Sequence, residues 1–179
     1  EPELLVHTFA DWTLTWRLVA EGTGILLNNE LDDFSAKPGV PNAYGLVGEE
    51  ANAVGPRKRP LSSMTPTIVL EDGKVLLVTG SPGGSRIITT VLQIILDVVD
   101  HSMNIAEATA SPRIHHQWLP DEIAVERGIG RDTLTLLEAR GHRIRQGRAM
   151  GSTQSILGAE GLWTGASDPR RPGGLAEGY

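Results

Sequence analysis

The chain has 179 residues, 40% of them apolar and 21% charged, with four Trp; this is the make-up of one ordinary globular domain and excludes a disordered chain. Sixteen basic against 22 acidic residues give a formal net charge of -6, which argues against nucleic acid and against an anionic membrane surface as partners, the cluster Arg57-Lys58-Arg59 notwithstanding. With no cysteine there is no disulfide framework and no thiolate chemistry, and no run approaches the roughly 18 uninterrupted apolar residues of a membrane span.

The chain opens Glu1-Pro2-Glu3, without Met and without the basic start of a signal peptide, and so reads as a processed product or a fragment. Residues 1–21 carry apolar side chains with no clean helical or strand period. Gly24 to Asn29 reads as a short apolar strand that runs into the acidic turn Glu30-Leu31-Asp32-Asp33-Phe34. That turn is either a solvated bend or a seat for an ammonium or a metal ion. From Ser35 to Pro60 the density of Gly, Pro and Asn marks a long loop, and a loop of that length tends to be functional or to cover something. It delivers Ser62 and Ser63, hydroxyls that either cap a turn or bind a carboxylate.

Thr67–Leu70 and Val75–Val78 are β-rich runs around Glu71-Asp72-Gly73-Lys74, the Asp-Gly signal of a tight hairpin. The hairpin should place the serines beside the far end of its second strand. That strand runs into Thr79-Gly80-Ser81-Pro82-Gly83-Gly84-Ser85-Arg86, and then comes a wide apolar stripe from Ile87 to Val99 that predicts a largely buried helix. Strand, glycine turn and helix start put free backbone N–H groups at one point, which attracts an anion or an oxygen that becomes negative during a reaction. The turn fits neither the P-loop nor the dinucleotide fingerprint. It is a sharp bend that glycine permits, or an oxyanion hole made by the N–H groups of Gly83 and Gly84.

Beyond the helix, Asn104–Ala108 begins a second short helix stopped at Ser111-Pro112-Arg113. His115 and His116 are adjacent on extended chain, point to opposite faces and cannot chelate one metal together, so they read as structural. Ile123–Glu126 reads as a strand and Asp132–Arg140 as an amphipathic helix stopped by Gly141. Ser152–Leu157 and Leu162–Ser167 form a second hairpin around Gly158-Ala159-Glu160-Gly161. No repeat and no internal domain boundary interrupts the chain.

Five stretches, Gly24-Ile25-Leu26-Leu27-Asn28-Asn29, Asp32-Asp33-Phe34-Ser35, Arg59-Pro60-Leu61-Ser62-Ser63-Met64, Thr79-Gly80-Ser81-Pro82-Gly83-Gly84 and Gly165-Ala166-Ser167-Asp168-Pro169-Arg170, together resemble the small subunit of the γ-glutamyltranspeptidases (glutathione hydrolases), from about Gly22 to Tyr179. The resemblance implies an α+β fold, part of the four-layer αββα sandwich of N-terminal-nucleophile hydrolases. It implies γ-glutamyl transfer from, or hydrolysis of, glutathione and related amides through a γ-glutamyl-enzyme, with a large subunit of the same precursor as partner, no cofactor and no metal. The matching positions are Gly83 and Gly84 for the oxyanion hole, Ser62 and Ser63 for the α-carboxylate site, and Glu30 and Asp33 for the α-amino site. A γ-glutamyl group presents one chemical partner to each of these three features.

The family's small subunit opens with a Thr that is both nucleophile and, through its amine, base; here the chain opens Glu1-Pro2-Glu3-Leu4, and no such role is carried onto Thr8, Thr13 or Thr15. Residues 1–21 are accordingly read as a truncated or diverged start and residues 22–179 as the small-subunit-like domain. The alternative function is a non-catalytic γ-glutamyl-binding remnant that lacks its nucleophile. The resemblance points to the periplasm or to secretion, without insertion into a membrane.

Overall fold

The computed structural model describes residues 21–25, 30–159 and 161–178. The opening segment 1–20 and most of the strand expected at Gly24–Asn29 lie outside the described residues, and Gly24 and Ile25 are not in a strand. The acidic stretch forms a 3-10 turn, Glu30–Asp33. As expected, residues 35–60 carry little regular structure beyond a short 3-10 turn, Glu50–Asn52, and the isolated bridges Ser35 to Ala53 and Pro41 to Val47.

The first hairpin joins β1 (Thr67–Glu71) to β2 (Lys74–Gly80). Asp72 and Gly73 both have positive φ, 50° and 77°, the turn geometry whose twist matches paired strands. Thr67 faces Thr79 across the pair, and a bulge between Val69 and Leu70 shifts the register toward the turn. The chain then enters α1 (Arg86–Val99) and α2 (Ile105–Ala110). Asn104 caps α2 by accepting from the N–H groups of Ala106 and Glu107, while Glu107 reaches back to the Asn104 N–H; such a reciprocal cap fixes where a short helix starts.

Three short strands, β3 (Ile114–His115), β4 (Ile123–Val125) and β5 (Ile144–Gln146), make a second sheet in the order β3-β4-β5, with α3 (Arg131–Ala139) between β4 and β5. Gly141, at φ 92°, follows the end of α3 as expected. The closing hairpin, β6 (Gln154–Ala159) and β7 (Leu162–Ser167), joins the first in an antiparallel sheet of order β1-β2-β6-β7. Its turn is shorter than the sequence suggests. Gly158 and Ala159 stay paired with Trp163 and Leu162, which leaves the two-residue connection that hairpins favour.

Leu77 on β2, Ile94 and Val98 on α1, and Ile105 and Ala108 on α2 form the core between the helices and one face of the four-stranded sheet. Fully burying a side chain such as Leu77 or Ile94 contributes about 1.5–3 kcal/mol. α1 departs from expectation. It buries Ile87, Thr90, Val91, Ile94 and Val98 but leaves Ile88, Leu92, Leu96 and Val99 between 38% and 51% exposed. Its apolar positions form two stripes, of which, among the described residues, only one meets the core. On β1, Ile68 and Leu70 are likewise exposed, while Val69, between them, packs on the core.

Candidate functional site

β2 ends at Gly80 and α1 begins at Arg86, so the five residues Ser81 to Ser85 reverse the chain from sheet to helix. Gly83 and Gly84 have φ of 143° and 56°, conformations that side chains rarely tolerate. Their carbonyls accept from the N–H groups of Arg86 (3.2 Å) and Ile87 (3.1 Å), which starts the helix, and among the described residues no acceptor takes their own N–H groups. These donors sit at the positive end of a 14-residue helix. Gly84 is further restricted by Tyr44: the phenol end of that ring lies where any Cβ at position 84 would be.

The long loop therefore does cover something, and a set of side chains holds it there. The Tyr44 carbonyl accepts from Gln117 Nε2 at 2.8 Å. Gln117 Oε1 accepts from Ser85 Oγ and pairs with His115 Nε2, both at 2.9 Å. Since the Gln117 amide nitrogen donates to the carbonyls of Tyr44 and Leu119, its oxygen is the acceptor and His115 carries the proton on Nε2. His115 Nδ1 lies 2.8 Å from Thr89 Oγ1, and burial lowers the imidazole pKa, favouring the neutral ring. His116 turns the other way, toward Asp121 at 3.2 Å. The two histidines thus point to opposite sides, as the sequence suggests, with His115 buried and His116 exposed.

The acidic and hydroxyl residues are joined through Asn52. Its Nδ2 donates to the Asp33 carbonyl (2.7 Å) and its Oδ1 accepts from the Leu61 N–H (2.9 Å), while its own carbonyl accepts from the Ser35 N–H (2.9 Å). One side chain thereby brings the turn that carries Glu30 and Asp33 to the residue preceding Ser62. Ser62 Oγ accepts from the Met64 N–H at 3.2 Å, the turn cap foreseen, and keeps its proton for another acceptor. Ser63 is half-buried. The pairing of Thr67 with Thr79 sets the serine end of β1 beside the glycine end of β2, as the hairpin reading requires. Among the described residues no group of His, Asp and Glu could hold a metal ion.

A buried ion cluster beneath the turn carried no sequence-based role. Arg113, 2% exposed, donates to Asp168 Oδ2 at 2.7 Å, to Thr153 Oγ1 at 3.1 Å and to the Met150 carbonyl at 2.6 Å. Arg170 binds Glu126 at 2.6 Å and Asp168 at 3.2 Å. Asp168 accepts the Thr153 N–H (2.8 Å), and Glu126 accepts the N–H groups of Met150 (2.5 Å) and Arg113 (3.0 Å). Burial alone would raise both carboxyl pKa values. The arginines and backbone N–H groups outweigh it and hold both below the usual range. The segment Met150–Thr153 is thus pinned by charge, and Gly151 within it packs against both Ser81 and Gly83. The one available signal was charge beside proline in Ser111-Pro112-Arg113 and Ser167-Asp168-Pro169-Arg170; neither says that residues 55 apart in the chain are partners.

A family model described as Gamma-glutamyltranspeptidase matches residues 12–178. The glutathione hydrolase proenzyme of Escherichia coli (strain K12) is 66% identical over 163 residues, which cover 90% of this chain and 28% of that protein. The glutathione hydrolase proenzyme of Pseudomonas sp. (strain A14) is 46% identical over 98% of this chain and 32% of its own length. The chain therefore spans about a third or less of these curated relatives. Among solved structures, the T380A mutant of Helicobacter pylori gamma-glutamyltranspeptidase superposes with a TM-score of 0.84 at 50% identity, covering 93% of this chain and 92% of that one.

Proposed function

We propose that this chain, which belongs to the gamma-glutamyltranspeptidase family, supplies the γ-glutamyl pocket and oxyanion hole of an enzyme that passes the γ-glutamyl group of glutathione, or of a related amide, to water or to an amino acid. Its α+β fold is the one shared with solved enzymes of that family, N-terminal-nucleophile hydrolases built as four-layer αββα sandwiches. Glu30 and Asp33 take the α-ammonium, Ser62 and Ser63 the α-carboxylate, and the Gly83 and Gly84 N–H groups the carbonyl oxygen as it becomes negative. The acyl group rests on the enzyme as a γ-glutamyl ester before transfer. We assign the nucleophile to none of the described residues.

The observation that carries this reading is the pair of amides at the start of α1 that meet no acceptor among the described residues, beside strand ends that also deliver Ser62 and Ser63. A large subunit of the same precursor completes the pocket. The second apolar stripe of α1, with Ile68 and Leu70 on β1, is the kind of surface such a subunit would cover. Expressed alone, the chain should therefore self-associate in sedimentation, and co-expression with a large subunit should restore a defined heterodimer. Among the described residues no helix is long and apolar enough to cross a membrane; we assign the enzyme to the periplasm or the outside of the cell, a reading that the family likeness supports.

The test is a graft in which residues 22–179 replace the matching part of the Escherichia coli proenzyme. The graft should release the chromophore of a γ-glutamyl anilide. A graft that folds, binds glutamate and releases nothing would favour the non-catalytic binding remnant. A γ-glutamyl affinity label that attaches to one of the described residues of this chain expressed alone would overturn our assignment of the nucleophile elsewhere.

A further inference from the structure

We propose that Ser81 is a positioning residue for the reaction, and that its hydroxyl fixes the direction in which the Gly83 N–H points. The proposal rests on the oxyanion reading of Gly83. Ser81 is 4% exposed, and its Oγ donates its single proton to the Pro82 carbonyl at 2.8 Å while accepting the Ser152 N–H at 3.0 Å. Each bond uses what the other leaves: the proton goes one way and a lone pair the other.

The Pro82 carbonyl and the Gly83 N–H belong to one planar trans peptide and point in opposite directions, so a bond that holds the oxygen also aims the hydrogen. Little else does so. Proline fixes φ at position 82, but the rotations that flip the peptide are ψ of Pro82 and φ of Gly83. At Gly83, with φ 143°, no Cβ opposes that flip. Nor does an acceptor hold the Gly83 N–H among the described residues. The Ser81 hydroxyl is thus the bond that keeps a soft peptide plane in one orientation.

Ser81 is itself held from behind. Gly151 has φ 69°, and a Cβ there would come within 2.6 Å of Ser81 Oγ and 3.0 Å of a Thr90 methyl, so the backbone that presents the Ser152 N–H lies directly on the hydroxyl. The residues on either side are anchored in the ion cluster, Met150 through Arg113 and Glu126 and Thr153 through Asp168. The buried charges therefore act on the glycine turn through Ser152 and Ser81. Preorganised donors work because they need not reorient as charge develops, and this chain of bonds confers that property on the Gly83 amide.

Ser81→Ala in the grafted proenzyme should lower kcat about tenfold to a hundredfold, a fraction of the loss expected when an oxyanion donor is removed outright, with KM nearly unchanged. Ser155→Ala is the matched control. It removes a buried hydroxyl bond of 2.8 Å, to Thr79, in the same sheet without touching Pro82, and should leave kcat within about twofold if local destabilisation has no catalytic effect. If Ser81→Ala fails to mature, Ser81→Cys keeps the volume with a poor donor and should lower kcat in the same sense. A folded Ser81→Ala or Ser81→Cys with wild-type kcat, or an equal loss in Ser155→Ala, overturns the proposal. Gly84→Pro, measured alongside, separates the two levels. If Gly84→Pro lowers kcat and the Ser81 variants do not, only the role of Ser81 falls. If folded Gly84→Pro also leaves kcat unchanged, the oxyanion assignment fails and takes this proposal with it.

Discussion

Ser81 and Pro82, at the base of the glycine turn, are buried and lie against a segment pinned by Arg113, Asp168 and Glu126, whereas Leu61 and Ser62, at the other half of the site, are exposed and held chiefly by one amide side chain. In the buried half a bond cannot be replaced by water, so losing one partner leaves a polar group uncompensated. In the exposed half solvent makes good most of any loss. The division matches what each half is proposed to do. Donors that meet charge only in the transition state must be fixed in advance, while groups that hold the ends of a flexible substrate can adjust as it binds.

The most direct way to break the comparison is to remove the charge beneath the turn. Asp168→Ala leaves Arg113 buried without its carboxylate and should cost about 3–5 kcal/mol, read as a large fall in the denaturation midpoint of the grafted proenzyme. The same cluster sets an acid limit. Asp168 and Glu126 have folded pKa values below their unfolded ones, so their contribution is fully present above the ordinary carboxylate range near pH 4 and is lost as the pH falls through the lower, folded values. Thermal melts from pH 6 down to pH 3 should show falling stability below about pH 4.5. Asp168→Asn should flatten that slope; a variant that melts with the same acid dependence as the parent would remove Asp168 from the account.

Next in size is Gly84→Pro, which deletes one of the two amides and displaces the other. It should lower kcat about a hundredfold to a thousandfold, far more than it changes KM, provided circular dichroism shows the protein folded. Gly84→Ala adds only a methyl group, but at φ 56° and against the Tyr44 ring. It tests whether the covering loop tolerates any displacement of the turn, and it should also lower kcat.

Local signals in the sequence were enough for the turn and the strands that flank it. Asp72-Gly73 names its own turn geometry, a strand that ends in glycines before an apolar period forces a sheet-to-helix reversal, and the proline after Ser111 marks where a second short helix stops. The burial of α1 was misjudged because an apolar stripe reports that a face is to be covered, not which chain covers it; Ile88 and Leu92 differ from Ile87 and Val91 only in where the rest of the protein lies. The ion cluster and the roles of Tyr44, Gln117 and Asn52 were illegible for another reason. Each depends on a polar side chain meeting a backbone group far away in the chain, as Gln117 meets the Tyr44 carbonyl 73 positions back, and no periodicity encodes such a meeting. That residues 35–60 would be functional or cover something was legible from the length of the loop; which side chain reaches Gly84 was not.

The smallest effect belongs to the exposed half and sharpens the contrast most. Asn52→Ala removes the bonds from its side chain to the Asp33 carbonyl and the Leu61 N–H. Both freed groups can turn to water, so the loss is that of two net hydrogen bonds at about 0.5–1.5 kcal/mol each, not of buried polar atoms left bare. Part of that loss appears as stability and part as a looser spacing between the acid proposed to take the ammonium and the hydroxyls proposed to take the carboxylate. KM for a γ-glutamyl substrate should rise by about threefold to tenfold with kcat nearly unchanged. In the proposed pocket the γ-glutamyl group is held across that spacing, whereas an analogue without the α-amino group would engage only the serines. Asn52→Ala should therefore raise KM less for the deaminated analogue than for the parent substrate. Equal increases for both would mean that Asn52 merely stabilises the loop, and that the acidic turn and the serines act independently.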